Sequence, residues 1–205
     1  MPRPRLPVAT LSLPPAVDRF DDAVDKAFDR VRGNRALDRL FYAASALGDH
    51  GLIWLIIGAV RGLRSEHDWH AAVRLGAGVG IESAVVNLGI KSFFRRRRPV
   101  FDGIRPMHLR QPRTSSFPSG HATSAFTAAG LLSDQDELWP LYYAVAAVVA
   151  TSRVYVRIHH ASDVVAGIAV GVALGRIGRR LFPLPPAPQS LQEEMHGVTG
   201  KLRRS

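Results

Sequence analysis

The chain has 205 residues, 46% of them hydrophobic, and a formal net charge of +10 from 27 Lys and Arg against 17 Asp and Glu. Such apolar content excludes an intrinsically disordered chain, and the length suits one domain with a sizeable core. Cysteine is absent, which excludes disulfides, thiolate metal ligands and a cysteine nucleophile.

In chain order, residues 1–15 read as an irregular lead-in. Its short apolar run is interrupted by proline and does not make a signal peptide. Residues 16–33 put Val17, Phe20, Val24, Phe28 and Val31 at three- and four-residue spacing, which predicts an amphipathic helix lying on a membrane surface or packed on the domain. Asn34 then caps a second helix. Five apolar stretches follow, near 41–60 (broken by GDHG), 71–94, 118–133, 138–153 and 161–178. Taken singly, none is a clean run of the roughly 20 apolar residues that span a bilayer. Several such helices with polar groups facing one another nevertheless fit a small membrane bundle, the alternative being a buried helical core in a soluble protein. Gly167, Gly171 and Gly175 recur at every fourth residue, which lets two helix backbones approach closely. SRVYVRI alternates like a strand but is short and lies between helical patterns. Residues 181–205 are proline-rich and then polar, and read as a flexible tail. The expected fold class is therefore all-α, a compact membrane-embedded bundle of about five to six helices over residues 34–180.

Lysine occurs only at Lys26, Lys91 and Lys201, so the positive charge is nearly all arginine, and where it clusters matters more than its sum. In KSFFRRRRPV, Lys91 and Arg98 are two helical turns apart and would point the same way near a helix end set by Pro99. A planar guanidinium suits a tetrahedral oxyanion, although on this stretch alone a membrane-surface charge run or a solvated loop is the plainer reading. In TSSFPSGHATSAF, Pro118, Ser119 and Gly120 make a turn and His121 opens an apolar helix. Backbone N–H groups at such a start hold anions, Ser119 adds a hydroxyl, and His121 stands ready to give or take a proton. The plainer reading is a capped helix with an incidental histidine. In SRVYVRIHHASDVVAG, Arg153 ends one helix while His159 and Asp163, four apart, would share a helix face. The carboxylate would then bind one imidazole nitrogen and leave the other free as a nucleophile. A structural His–Asp pair, or a metal site of His159, His160 and Asp163, fits the same residues. The surrounding cations disfavour the metal.

Together the three stretches read Lys91-x6-Arg98-Pro99, Pro118-Ser119-Gly120-His121 and Ser152-Arg153-x5-His159-x3-Asp163. This resembles the three-part signature of the type 2 phosphatidic acid phosphatase (PAP2) superfamily, which also holds bacterial nonspecific acid phosphatases and vanadium haloperoxidases. The resemblance covers residues 40–178. It implies a hydrolase without metal or other cofactor that works through a phosphohistidine. His159 would be the nucleophile, Asp163 would orient it, and His121 would protonate the leaving oxygen and then activate water. Lys91, Arg98, Ser119, Gly120 and Arg153 would bind phosphate. Among family members the chain is similar to small bacterial lipid phosphatases of the cytoplasmic membrane, whose active site faces outward. Implied substrates are polyprenyl phosphates or diphosphates, decaprenylphosphoryl phosphoribose, phosphatidylglycerophosphate or phosphatidate. The alternatives are a vanadate-dependent oxidase and a catalytically silent membrane protein of the same fold. Nucleic acid is not an expected partner, because no stacking array of aromatic residues accompanies the cations. The further arginines Arg95, Arg96, Arg97, Arg105, Arg110 and Arg113, between the first two motifs, are expected to read a second phosphate or an anionic membrane surface.

Overall fold

A computed structural model describes residues 13–101, 105–109, 112 and 114–186, and the described residues form helices and no strands. Most of the lead-in, Arg110, Arg113 and the tail from 187 lie outside the described residues. Helix α1 (Pro15–Asp29) begins with Pro15 in its first turn, where the missing N–H costs nothing. The α2 helix (Arg35–Leu47) starts where the Asn34 side chain accepts from the N–H groups of Ala36 and Leu37. A short 3-10 turn, Asp49–Gly51, separates it from α3 (Leu52–Gly62). His50 (φ 55°) and Gly51 (φ 70°) are both left-handed there, and the chain bends by 68°. GDHG is thus the break its composition suggested.

Helix α4 runs Glu66–Phe93, capped by Ser65 and passing through a π-helical stretch at Val85–Ile90. After an extended segment come α5 (Gly120–Leu132), α6 (Trp139–Tyr155) and α7 (Ala161–Leu181). SRVYVRI ends α6 and turns into α7; it is not a strand. By length and composition α4 and α7 are each able to cross a membrane, and α2 with α3 passes the same test as a bent pair.

The core follows from small residues on α5. Ala125, Ala128 and Ala129 are fully buried and admit Trp54, Leu75, Tyr142 and Val149 from the helices around them. Helix α7 lies closest to α5, along the glycine row. A side chain at Gly171 would put its Cβ 2.5 Å from the Thr123 carbonyl oxygen, and one at Gly167 would stand 2.6 Å from that of Ser119. The end of the bundle away from the three motifs is tied by arginines. Arg61 donates to Asp68 at 2.8 Å and to the Leu132 carbonyl, and Arg74 donates to Asp134 at 2.7 Å and to the Leu131 carbonyl at 2.8 Å. These cations sit on the last carbonyls of α5, which have no acceptor role left within the helix.

Candidate active site

The three motifs meet at one end of the bundle, at the start of α5, the end of α6 and the turn into α7. That turn is heavily constrained. The amides of Ile158 and His159 both donate to the Arg153 carbonyl at 3.1 Å, while Arg105 binds the Val156 carbonyl and Arg98 that of Ile158. Arg157 is left-handed (φ 52°), a conformation a non-glycine residue keeps only when its surroundings impose it. His160 caps α7: its ring accepts from the backbone N–H of Asp163, and the Asp163 carboxylate accepts from the His160 amide at 2.9 Å.

Two spacing arguments fail while the residues they pointed to still converge. His159 and Asp163 do not share a helix face, because α7 begins at Ala161 and His159 stands in the turn before it. Lys91 and Arg98 do not share one either. Phe94 is extended (φ −120°, ψ 127°), so the helix ends at Phe93 and Arg98 arrives on the irregular strand of chain before Pro99.

His159 is 3% exposed. Arg98 Nη1 lies 3.0 Å from its Nε2. A guanidinium only donates, so Nε2 accepts and the ring proton sits on Nδ1. On that side Asp163 Oδ2 is 3.7 Å away, too far for a hydrogen bond. Ser116 fills the gap, donating to Asp163 Oδ2 at 2.5 Å with its Oγ 3.4 Å from Nδ1. Burial pushes the His159 pKa well below the usual histidine range; Arg153 and Arg98 push the same way and Asp163 opposes them. The imidazole is therefore neutral, with its Nε2 lone pair directed at Arg98.

Those cations carry unspent donors. Among the described residues Arg98 Nε, Arg153 Nε and Nη2, and Ser119 Oγ are buried without a hydrogen-bond partner. Unpaired buried donors on this scale are costly and call for an acceptor. The Lys91 ammonium completes the group: a Cβ on Gly120 would stand 3.3 Å from its Nζ, so the missing side chain lets the ammonium approach the N-terminus of α5. The ammonium also donates to Asn87 Oδ1, at 3.1 Å.

His121, in the first turn of α5, has Nε2 3.1 Å from Asp49 Oδ1 and 3.2 Å from the Ser45 carbonyl. Ser45 Oγ in turn accepts from Arg153. Ser45, Asp49 and Ser116 went unread in the sequence. Asp49 was visible only as a polar residue inside an apolar run, and Ser116 as one of two serines before a turn. Arg96 differs from its expected role: it points inward to Asp163 and Asp21 and is not free to read a second phosphate. Arg105 stacks on Phe101 and holds turn carbonyls, whereas Arg95 and Arg97 are exposed.

The chain matches the PAP2 superfamily over residues 71–184. It is 38% identical over 136 residues to the decaprenylphosphoryl-5-phosphoribose phosphatase of Mycobacterium tuberculosis (strain ATCC 25618 / H37Rv), covering 65% of this chain and 73% of that protein. Its fold is like that of the transmembrane PAP2-type phosphatidylglycerolphosphate phosphatase of Bacillus subtilis, with a TM-score of 0.63 and 24% identity over 81% of this chain and 86% of the other. Aquifex aeolicus LpxE gives the same TM-score and identity over 78% of this chain and 95% of its own.

Proposed function

This chain belongs to the PAP2 superfamily, and from that premise we propose that it is an integral-membrane phosphatase that removes the 5-phosphate from a polyprenylphosphoryl phosphoribose lipid. The observation that carries the chemistry is the set of unpartnered buried donors on Arg98, Arg153 and Ser119 beside the lone pair of His159. A tetrahedral dianion supplies the acceptors they lack, and three cations offset its charge without Mg²⁺.

In this reading His159 Nε2 attacks phosphorus, the N–P bond forms as the P–O bond to the ribose breaks, and His121, entering the step protonated on both ring nitrogens with its Nε2–H held by Asp49 and the Ser45 carbonyl, gives its Nδ1 proton to the departing oxygen. Ser116 and Asp163 stabilise the Nδ1–H as positive charge builds on the ring. Water then attacks the phosphohistidine, His121 takes the water's proton, and the N–P bond breaks to leave inorganic phosphate and neutral His159. Asp49 holds His121 in place for both transfers. The inward course of Arg96 and the engagement of Arg105 favour a monoester over a diphosphate, since both are committed to protein groups. The similarity to the decaprenylphosphoryl-5-phosphoribose phosphatase of Mycobacterium tuberculosis supports the phosphoribosyl lipid in particular.

The test is phosphate release in detergent with EDTA, from decaprenylphosphoryl-5-phosphoribose, undecaprenyl diphosphate, phosphatidylglycerophosphate and phosphatidate. The phosphoribosyl lipid is expected to give the highest kcat/KM, and His159→Ala to lose about 10³-fold or more. Activity that disappears in EDTA and returns with Mg²⁺, or that survives His159→Ala, would overturn the reading.

A further inference from the structure

Asp21 is the one buried residue of α1, at 5% exposure on a helix otherwise half-buried or exposed. A carboxylate in that position is costly unless it is fully hydrogen-bonded. Asp21 accepts from the Ser162 amide at 2.7 Å, the Ser162 hydroxyl at 2.8 Å and Arg96 Nη2 at 2.6 Å. The other terminal nitrogen of Arg96 donates to Asp163 Oδ1 at 2.7 Å and to Ser162 Oγ at 2.7 Å. One guanidinium is thus forked between the α1 carboxylate and the carboxylate that backs His159.

We propose that Asp21, acting through Arg96, is a positioning residue for His159, so that α1 is part of the catalytic apparatus although it lies outside the family-matched residues 71–184. The inference rests on the reading of His159 as nucleophile. Its physical basis is a division of charge. With Asp21 present, Arg96 shares its charge-assisted hydrogen bonds between two carboxylates. Asp163 then keeps its other oxygen, Oδ2, for Ser116, the His160 amide and the Nδ1 side of His159. Without Asp21 the fork is anchored at one end, Nη2 is left buried and unpaired, and the whole guanidinium charge falls on Asp163. That charge weakens the support Asp163 gives to a developing imidazolium. The terminal nitrogens of Arg96 are committed to Asp21, Ser162 and Asp163, and Asp21 to Arg96 and Ser162, so a variant at Asp21 is expected to spare phosphate binding.

A second attachment of α1 supplies the control. Asp25 and Asp29 pair with Arg32 and Arg157 at 2.6–3.0 Å, and Arg32 also donates to the carbonyls of Val154 and Tyr155. Loosening this clamp weakens docking without touching the Arg96 fork.

The experiment compares full-length wild type, Asp21→Asn, Asp25→Asn and His159→Ala in detergent. It uses the most active lipid phosphate of the panel, with orthovanadate inhibition and thermal unfolding measured alongside. Asp21→Asn is expected to lower kcat by about 10-fold or more with KM within about twofold, as removal of a partner of a catalytic group's partner typically does. Orthovanadate inhibition is expected to weaken in parallel, because it reports bonding to His159. Asp25→Asn is expected to keep kcat within about twofold at an equal or larger loss of Tm. If Asp21→Asn is too unstable to purify, Arg96→Lys keeps the cation but loses the two-ended fork, and the same split between kcat and KM is expected. The inference is overturned if these fork variants keep wild-type kcat while His159→Ala is inactive, or if Asp25→Asn loses as much kcat at matched Tm. A wild type that is inactive, or a His159→Ala that is active, overturns the phosphatase reading itself and the inference with it.

Discussion

Arg98 has two relationships to His159 that pull in opposite directions. Its Nη1 donates to Nε2 at 3.0 Å, which orients the lone pair, while its charge keeps a proton off the ring. The sign of the second effect is fixed by what charges the group. Protonated imidazole is a cation, so a neighbouring cation lowers its pKa, and removing that cation raises it. Arg98→Gln keeps amide donors and deletes the charge. The acid limb of kcat/KM is therefore expected to move to higher pH than in wild type, because His159 takes up its blocking proton earlier. Since Arg98 also carries an unpartnered buried donor, KM for the lipid phosphate is expected to rise by about 10-fold or more. A pH–rate series on both proteins reads both effects. An acid limb that stays in place or moves down would show that Arg98 does not tune His159.

At the scale of elements, the seam between α5 and α7 sets how close Ser119 and Gly120 come to the His159 turn. The Ser119 amide donates to the Asp163 carbonyl at 3.0 Å, so the two helix starts are tied together at the site. Gly171→Val would drive Cβ to 2.5 Å from a backbone oxygen and 2.9 Å from Phe126 Cβ, and backbone cannot step aside as a flexible side chain can. A loss of about 1–3 kcal/mol, read as a lower Tm, is expected together with lost activity, because separating the helices parts Ser119 from Asp163. An unchanged Tm would mean the seam is looser than drawn. This seam was legible beforehand, since a four-residue glycine repeat needs no tertiary knowledge to be read as a close-packing face. So were the Asn34 cap and the break at GDHG, which local backbone chemistry dictates. The partners of the site residues were not. Asp21 lies 142 residues from Asp163, and Asp49 lies 72 from His121. No periodicity links such positions, because only packing brings them together. His159 with Asp163, and Lys91 with Arg98, were grouped on a helical argument that the structure replaces with a turn and an extended segment. The spacing carried the grouping even though the local geometry was different.

Across the whole molecule, the described polar networks gather at two ends. The His159 turn opens α7, and Arg176, Arg179 and Arg180 close it, about 30 Å away along a helix of 21 residues. The site end holds many arginines, but Arg32, Arg96 and Arg157 are spent on α1 carboxylates, Arg105 on turn carbonyls, and Arg98 and Arg153 on the site itself. Arg176 and Arg180, by contrast, are exposed at the end of a membrane-length helix, where basic residues hold a segment on the cytoplasmic side. The site end is therefore expected to face outward, toward lipid phosphates displayed on the outer leaflet. The absence of cysteine makes this easy to measure, since any single introduced thiol is the only one to label. Met107, 40% exposed on the site side, and Pro186, exposed beyond the end of α7, can each be replaced by cysteine without altering a charge. In intact spheroplasts a membrane-impermeant maleimide is expected to label Met107→Cys at once and Pro186→Cys only after permeabilisation. The reverse pattern would put the site in the cytoplasm, and the arginines of the site end would then be the ones that set orientation.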